Sequence, residues 1–178
     1  MKMETRDSSE ISSRSLLQDW AANAGNPKGQ TVMLLFRLAQ ALRFGPRWIL
    51  PATVLYGVFY RVAVEWFLGV ELPWKTRVGP GLRIDHGQAL VVNDGSVIGA
   101  GCTLRNGTTI GLKKNRDGSL SGCPVLGDNV DVGANATLIG PIHIGSGAVI
   151  GGGAVVVKDV PQNAVVAGNP ARVLRITA

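Results

Sequence analysis

The 178-residue sequence is poor in cysteine, histidine and aromatic residues: it contains two cysteines and two histidines, and aromatics make up 6% of it. Two cysteines are too few for a disulfide framework, so we expect a reducing, cytoplasmic environment. The longest apolar run, from Trp48 to Tyr60, contains Pro51 and Gly57. It falls short of the roughly 20 residues that cross a bilayer. We therefore expect neither a secreted disulfide-rich domain nor a transmembrane helix.

Acidic residues are also scarce relative to basic ones. Twelve acidic against 18 basic residues give a formal net charge of +6. This excess favours anionic partners, such as a phosphorylated cofactor, an acidic glycan or an anionic membrane surface. Nucleic acid is disfavoured, because the basic residues are scattered and no aromatic stacking surface lies among them. Glycine is abundant, with 24 residues, which indicates a repetitive architecture with many tight turns.

The N-terminal part carries helical signals. Residues 1–14 are polar without an apolar period, so we expect a disordered tail. Residues 15–70 predict a small α-helical cap, with Asp19 in the early turns of its first helix. The apolar faces of these helices require a second body to pack on. The three expected helices cover residues 15–25, 30–45 and about 51–68.

After about Arg77 the apolar period changes to six. A glycine follows many of the repeating aliphatic residues, as at Gly99 and Gly133, where we expect a backbone conformation that a side chain would disfavour. A six-residue repeat is a short strand and a tight turn, and three repeats close one triangular coil of a parallel β-helix. Residues 71–164 thus predict a β-helix of between four and five coils of roughly 18 residues. The aliphatic positions form two phased series: Val92, Ile98, Leu104 and Ile110, then Leu126, Val132, Leu138, Ile144, Ile150 and Val156.

Two breaks interrupt the six-residue period. The in-phase residue after Ile84 is Val92, eight residues on, and the two extra residues fall in the segment that contains Asp85 and His86. The second break lies between the two aliphatic series, where residues 112–124 must leave the coil as an extruded loop. Regular coils build a scaffold, so we expect these irregular segments to carry the function.

The motif "RIDHGQALVV", the hexads, the extruded loop and the closing "AGNPARVLR" resemble hexapeptide-repeat acyltransferases. The similarity covers about residues 70 to 176 and is greatest to the serine acetyltransferases and the colanic-acid-type exopolysaccharide O-acetyltransferases, whose short helical cap the N-terminal part resembles. It implies an all-β left-handed parallel β-helix. It also implies that His86 is the general base, a role suited to an imidazole near neutral pH. Glu71 stands where serine acetyltransferases carry the aspartate that orients the histidine.

The same resemblance assigns acceptor residues and shows a departure from serine acetyltransferases. Asp85 matches the aspartate that helps to bind the serine amino group. Gly122 and Cys123, however, replace the arginine and histidine that hold the serine carboxylate, which puts serine binding in doubt. The extruded loop instead offers polar groups that suit a sugar or an acidic glycan: Lys113, Lys114, Asn115 and Arg116.

Acetyl-CoA is the implied co-substrate, and no metal is expected. In the family it lies along a groove between subunits, and the matching positions here are Ala134, Gly152 and Gly153 for the pantetheine arm and Lys158 and Arg175 near the phosphates. Residues 165–178 form the closing segment. A site shared between subunits implies a homotrimer, with a hexamer left open.

The leading hypothesis is an O-acetyltransferase that modifies a sugar hydroxyl in exopolysaccharide biosynthesis, and serine O-acetyltransferase is the alternative. A γ-type carbonic anhydrase on the same scaffold needs three histidine ligands, and the chain has two. A non-catalytic β-helix scaffold is the remaining alternative. We expect Cys102 in the core, His143 facing solvent, and no catalytic role for Cys123. The apolar, basic cap leaves two interpretations open, contact with the inner face of the membrane and packing on the β-helix.

Overall fold

A computed structural model describes residues 15–43 and 45–177 of the chain. The tail predicted over residues 1–14 lies outside the described residues. Helix α1 (Pro27–Arg43) is followed by a 3-10 turn (Arg47–Ile49) and by α2 (Leu50–Tyr60), which continues as a π-helical segment (Arg61–Phe67). The strands that follow are β1 (Val70–Glu71), β2 (Arg77–Val78), β3 (Arg83–Asp85), β4 (Leu90–Val92), β5 (Val97–Ile98), β6 (Thr103–Arg105), β7 (Thr109–Gly111), β8 (Val125–Leu126), β9 (Asp131–Val132), β10 (Thr137–Ile139), β11 (His143–Ile144), β12 (Val149–Ile150), β13 (Val155–Val156), β14 (Ala164–Ala167) and β15 (Arg172–Ile176).

The strands stack into three sheets that form the sides of a triangular prism. Sheet 1 contains β1, β4, β7, β10 and β13, and sheet 2 contains β2, β5, β8 and β11. Sheet 3 contains β3, β6, β9, β12 and β14, with β15 antiparallel to β14 at its edge. From β1 to β13, consecutive strands fall on successive sheets, and each pairs in parallel with the strand one coil away. The predicted parallel β-helix with a helical cap is therefore confirmed.

The core of the prism is the column of hexad side chains. Every aliphatic residue of the two predicted series is at most 2% exposed. Because each coil places its aliphatic residues directly over those of the coil before, burial is continuous along the prism axis. Cys102 lies in the same core and is fully buried, as expected.

The glycines that follow the hexad aliphatic residues have a different role from the expected one. Gly99, Gly127 and Gly133 do not adopt positive φ. A Cβ atom added at Gly133 would lie 2.5 Å from the Gly152 nitrogen, and one at Gly127 would lie 2.7 Å from the Ser146 nitrogen. The predicted backbone conformation is therefore wrong at these positions. Glycine is needed there because adjacent coils approach too closely for a side chain.

The first predicted helix is also wrong: residues 16–25 form a succession of turns. Asp19 accepts a hydrogen bond from the Leu82 nitrogen at 2.9 Å. Asn23 accepts one from the Ile84 nitrogen at 3.0 Å and donates one to the Leu82 oxygen at 2.8 Å. These short polar side chains favour bonds to backbone groups over a regular helix. The turns therefore serve the free edge of β3, whose backbone would otherwise lack partners.

The other two predicted helices are confirmed as α1 and as α2 with its π-helical continuation. Arg37 of α1 pairs with Asp19 at 2.7 Å, and both side chains are buried. Arg37 also donates to the oxygens of Val78 and Gly79 at 3.0 and 2.6 Å. The cap thus packs on the first coil through a buried ion pair and apolar side chains. Within the described residues, no helix is both long enough and apolar enough to span a membrane.

The segment predicted as an extruded loop lies between β7 and β8. Residues 113–120 are exposed, and Lys114 and Leu120 face each other in an isolated antiparallel bridge. Asp117 accepts hydrogen bonds from the nitrogen and hydroxyl of Ser119, which lower the pKa of its carboxyl group. The loop is therefore a small hairpin that stands away from the prism.

Candidate active site

His86 lies at a strained corner between sheets 3 and 1. Its φ is 63°, and Gly87 and Ala89 follow with φ of 65° and 55°. Positive φ is uncommon for a residue with a Cβ atom and points to a constrained, functional segment. The Ala89 nitrogen donates to the Gly69 oxygen at 2.8 Å, which ties the corner to the preceding coil. The imidazole is exposed.

Glu71 lies on β1, next to the segment that carries His86. A Cβ atom added at Gly87 would lie 3.2 Å from a methyl carbon of Val70, so the corner rests directly against this strand. The Glu71 side chain is exposed. Among the described residues, no hydrogen bond or ion pair joins Glu71 to His86. The dyad therefore stays a prediction.

Asp85 belongs to a ladder of charged side chains on the outer face of sheet 3. The Arg83 Nε atom lies 2.8 Å from Asp85 Oδ1, and the Arg105 Nε atom lies 3.9 Å from Asp85 Oδ2. Arg105 stands one coil above Asp85 in strand register and also pairs with Asp131. The hydrogen bond to Asp131 raises the pKa of the Arg105 guanidinium. The Asp85 carboxylate thus faces two arginines.

Sequence reasoning missed Arg83, Arg105 and Asp131. The available signal was spacing: Asp85 and Arg105 are twenty residues apart, close to one coil plus the two extra residues of the first break. Because strands one coil apart are in parallel register, such a pair shares a face of the sheet.

The predicted pantetheine positions lie at the same corner as His86. We name this edge of the prism, formed by residues 86–89, 106–108, 133–136 and 151–154, the histidine corner. Backbone hydrogen bonds link successive coils here, from the Asn135 nitrogen to the Asn106 oxygen at 2.9 Å and from the Gly153 nitrogen to the Ala134 oxygen at 2.8 Å. With about 4.8 Å between coils, Ala134 lies about 10 Å and Gly152 about 14 Å along the edge from His86.

The histidine corner fits an extended ligand because it carries little side chain. A Cβ atom added at Gly153, where φ is 68°, would meet no atom within 4 Å, so the surface there is open. Gly152 and Gly153 are exposed and Ala134 is half-buried, so a ligand is able to approach the backbone closely along these two coils.

Other predicted residues lie away from this corner. The extruded loop, with Lys113, Lys114, Asn115 and Arg116, leaves the prism at the next edge, between sheets 1 and 2, and Lys158 lies at that edge too. We name this edge, formed by residues 93–96, 112–124, 140–142 and 157–159, the loop corner. Arg175 is on β15, opposite Val165. A single chain thus brings His86 together with the pantetheine positions but not with the loop.

The two cysteines and the second histidine lie outside the histidine corner. Burial raises the pKa of the Cys102 thiol to about 11. Cys123 is half-buried at the base of the loop, with its Sγ atom 3.2 Å from Asn93 Oδ1. His143 is exposed on sheet 2, as expected.

Comparisons with known proteins give the class of this site. No protein-family model matches the chain. Over 165 residues it is 34% identical to WcaB of Escherichia coli K12, which is named "Putative colanic acid biosynthesis acetyltransferase WcaB", with 89% of this chain and 98% of WcaB covered. It is 38% identical over 108 residues to serine acetyltransferase 2 of Arabidopsis thaliana, covering 61% of this chain and 33% of the plant protein.

A solved structure agrees with these relatives. The serine acetyltransferase of Brucella abortus in complex with coenzyme A is similar with a TM-score of 0.74 and 27% identity, over 92% of this chain and 67% of that chain. The likeness confirms a left-handed β-helix and defines the class of the protein, an acetyltransferase. The chain belongs to the branch of the hexapeptide-repeat acyltransferases that contains WcaB and the serine acetyltransferases.

Proposed function

We propose that the protein transfers the acetyl group of acetyl-CoA to a sugar hydroxyl in exopolysaccharide biosynthesis. The observation that carries the proposal is the histidine corner, where an exposed imidazole ends an open column of small residues at Ala134, Gly152 and Gly153. The near-complete coverage of WcaB supports a glycan acceptor, since that protein is named for colanic acid biosynthesis.

His86 acts as the general base in a direct transfer. The acceptor hydroxyl oxygen attacks the thioester carbonyl carbon while its proton passes to the imidazole, which makes the hydroxyl a competent nucleophile near neutral pH. The carbon–sulfur bond then breaks, and the leaving CoA thiolate takes the proton from the His86 imidazolium, which returns the imidazole to its neutral form. Glu71 orients the imidazole in this proposal, because its strand lies against the corner that carries His86.

Acetyl-CoA lies along the histidine corner. Ala134, Gly152 and Gly153 present backbone groups to the pantetheine arm, and Lys158 and Arg175 meet the phosphates, where positive charge is favourable. Lys158 lies at the loop corner, so a neighbouring subunit must contribute it, together with the loop residues Lys113, Lys114, Asn115 and Arg116. This division between corners supports a homotrimer, and a hexamer remains the alternative.

Serine acetylation is the second candidate, supported by the Asp85–His86 motif and the serine acetyltransferase relatives. The surroundings of Asp85 argue against it. A carboxylate that already faces Arg83 and Arg105 is poorly placed to bind a substrate ammonium group as well. Gly122 and Cys123 also offer no cation for a substrate carboxylate. A sugar hydroxyl needs neither contact.

CoA release from acetyl-CoA tests the proposal. Purified protein is assayed with L-serine and, separately, with nucleotide sugars and exopolysaccharide fragments. We expect glycan-dependent release in wild type and a loss of about 100-fold or more in His86→Ala, the usual contribution of a general base. His143→Ala is the matched control and should keep full activity, because that imidazole is exposed on another face. Turnover of serine and of no glycan would identify serine as the acceptor. Full activity of His86→Ala would show that His86 is not the general base.

A further inference from the structure

Helix α2 and its π-helical continuation expose more apolar side chain than they bury. Tyr60 and Val64 are fully buried, whereas Trp66 is 76% and Phe67 is 89% exposed. A helix that is apolar around most of its circumference needs a covering surface. We name the following exposed side chains the apolar face: Trp48, Leu50, Val54, Leu55, Val58, Phe59, Val62, Trp66 and Phe67.

The apolar face borders an open groove of about 500 Å³. One wall is the stripe Val54, Val58 and Val62, and Trp66 and Trp74 also line the groove. The ring of Trp74 packs edge-to-face against the ring of the buried Tyr60, with ring centroids 5.6 Å apart. The groove is thus preformed by packed aromatic rings.

The charges around the apolar face are mostly positive. Arg61 lines the groove and is 61% exposed, and Lys75 and Arg77 are exposed just beyond Trp74. Arg43, at the end of α1, is exposed as well, so four basic side chains stand against two acidic residues, Glu65 and Glu71. Glu65 is half-buried and lies 3.4 Å from Arg61. The apolar face therefore has a basic rim.

We propose that the apolar face docks the protein on an anionic lipid surface, at the inner face of the membrane. Tryptophan and phenylalanine side chains enter the boundary between headgroups and acyl chains, while arginine and lysine meet anionic headgroups. The charge complementarity favours lipid over a second copy of the chain, because a second copy would bring the same basic rim against this one. The helix lies on the surface, since no described helix is able to span a membrane.

Vesicle flotation tests the proposal with the full chain and no acceptor present. The probes are vesicles of phosphatidylcholine alone and of phosphatidylcholine with about one third phosphatidylglycerol. We expect binding to the anionic vesicles, weakened at about 0.5 M salt because screening removes the headgroup attraction. The double variant Trp66→Ser/Phe67→Ser should bind at least about tenfold less, since two large apolar side chains are lost from the inserted surface.

The matched control is Leu120→Ser/Leu174→Ser, which removes two exposed apolar side chains outside the cap and should bind as wild type does. A second pair on the same face, Trp48→Ser/Leu55→Ser, keeps the test valid if the first variant misfolds.

Equal binding by apolar-face and control variants, or no binding by wild type, overturns the proposal. A smaller assembly of the apolar-face variant in light scattering also overturns it, because the face would then lie between copies. CoA release with soluble acceptors is measured in parallel, so that loss of the proposed function is distinguished from loss of docking.

Discussion

At the residue scale, the backbone at His86 explains why two extra residues matter. A residue with a Cβ atom in the left-handed region costs about 1–2 kcal/mol, and both His86 and Ala89 adopt it. Contacts with the preceding coil hold the segment in this conformation despite the cost. The Ala89 nitrogen is hydrogen-bonded to the Gly69 oxygen, and Gly87 packs against Val70. The imidazole therefore projects from a fixed point outside the regular coil, as the proposed general base requires.

The two cysteines provide a residue-scale prediction. Burial raises the pKa of Cys102 to about 11, and the thiolate is the form that reacts with alkylating agents. We expect iodoacetamide at pH 8 to modify the half-buried Cys123 in the folded protein and to leave Cys102 unmodified. Peptide mass spectrometry distinguishes the two sites, and labelling in urea is the control in which both should react. Equal labelling of both in the folded protein would contradict the burial of Cys102.

At the element scale, the cap replaces a missing coil. The free edge of β3 presents backbone donors and acceptors, and Asp19 and Asn23 satisfy them from the turn segment. Asn26 adds a hydrogen bond to the Ile84 oxygen at 2.6 Å. An exposed parallel edge invites pairing with another chain, so this cover protects the prism from end-to-end association as well as stabilising it.

Asn23→Ala tests this cover. The substitution leaves the Ile84 nitrogen and the Leu82 oxygen without their partner in a buried setting, which costs about 2 kcal/mol or more. We expect a matching loss in the free energy of unfolding, measured by urea denaturation at constant protein concentration. Asn115→Ala in the exposed loop is the control and should change it by about 0.5 kcal/mol or less. A similar small loss for both variants would mean that the turn segment does not hold the edge of β3.

At the scale of the whole molecule, the proposed active site is divided. His86 is at the histidine corner, whereas the extruded loop and Lys158 are at the loop corner, across the width of sheet 1. A closed ring of identical subunits is able to bring one chain's loop corner to the next chain's histidine corner. The proposed homotrimer has this arrangement.

Mixed assemblies test the division of the site. His86→Ala and the triple variant Lys113→Ala/Lys114→Ala/Arg116→Ala should each lack activity alone. Co-expressed in equal amounts, they should recover about a quarter of the wild-type CoA release. In a randomly mixed ring, half of the chains have an intact His86 and half of their neighbours have an intact loop, so about a quarter of the sites have both. Mixing the proteins after separate purification is the control. No recovery on co-expression would mean that each chain builds its own site.

Local sequence patterns were sufficient to predict the coils of the β-helix and the two segments that interrupt its six-residue period. The hexads predicted the buried column from Val92 to Val156, because a period of six reports which side chains point inward, whatever the order of the sheets. The same local reasoning failed over residues 16–25, where Asp19 and Asn23 looked like helix residues. Their partners are about sixty residues away in sequence, at Leu82 and Ile84, and no local pattern reports such a contact.

The sequence by itself determined the repeat, its two interruptions, the basic charge and the resemblance that singles out His86 and acetyl-CoA. Only the tertiary structure decided which of these residues share an edge. Stacking of coils brings Ala134 and Gly152 into line with His86, sets Arg105 over Asp85 and moves the loop to the next corner. The physical reason is that two residues of a β-helix are stacked only when the coils between them have the right total length. Each insertion therefore changes the sequence separation of every stacked pair that spans it.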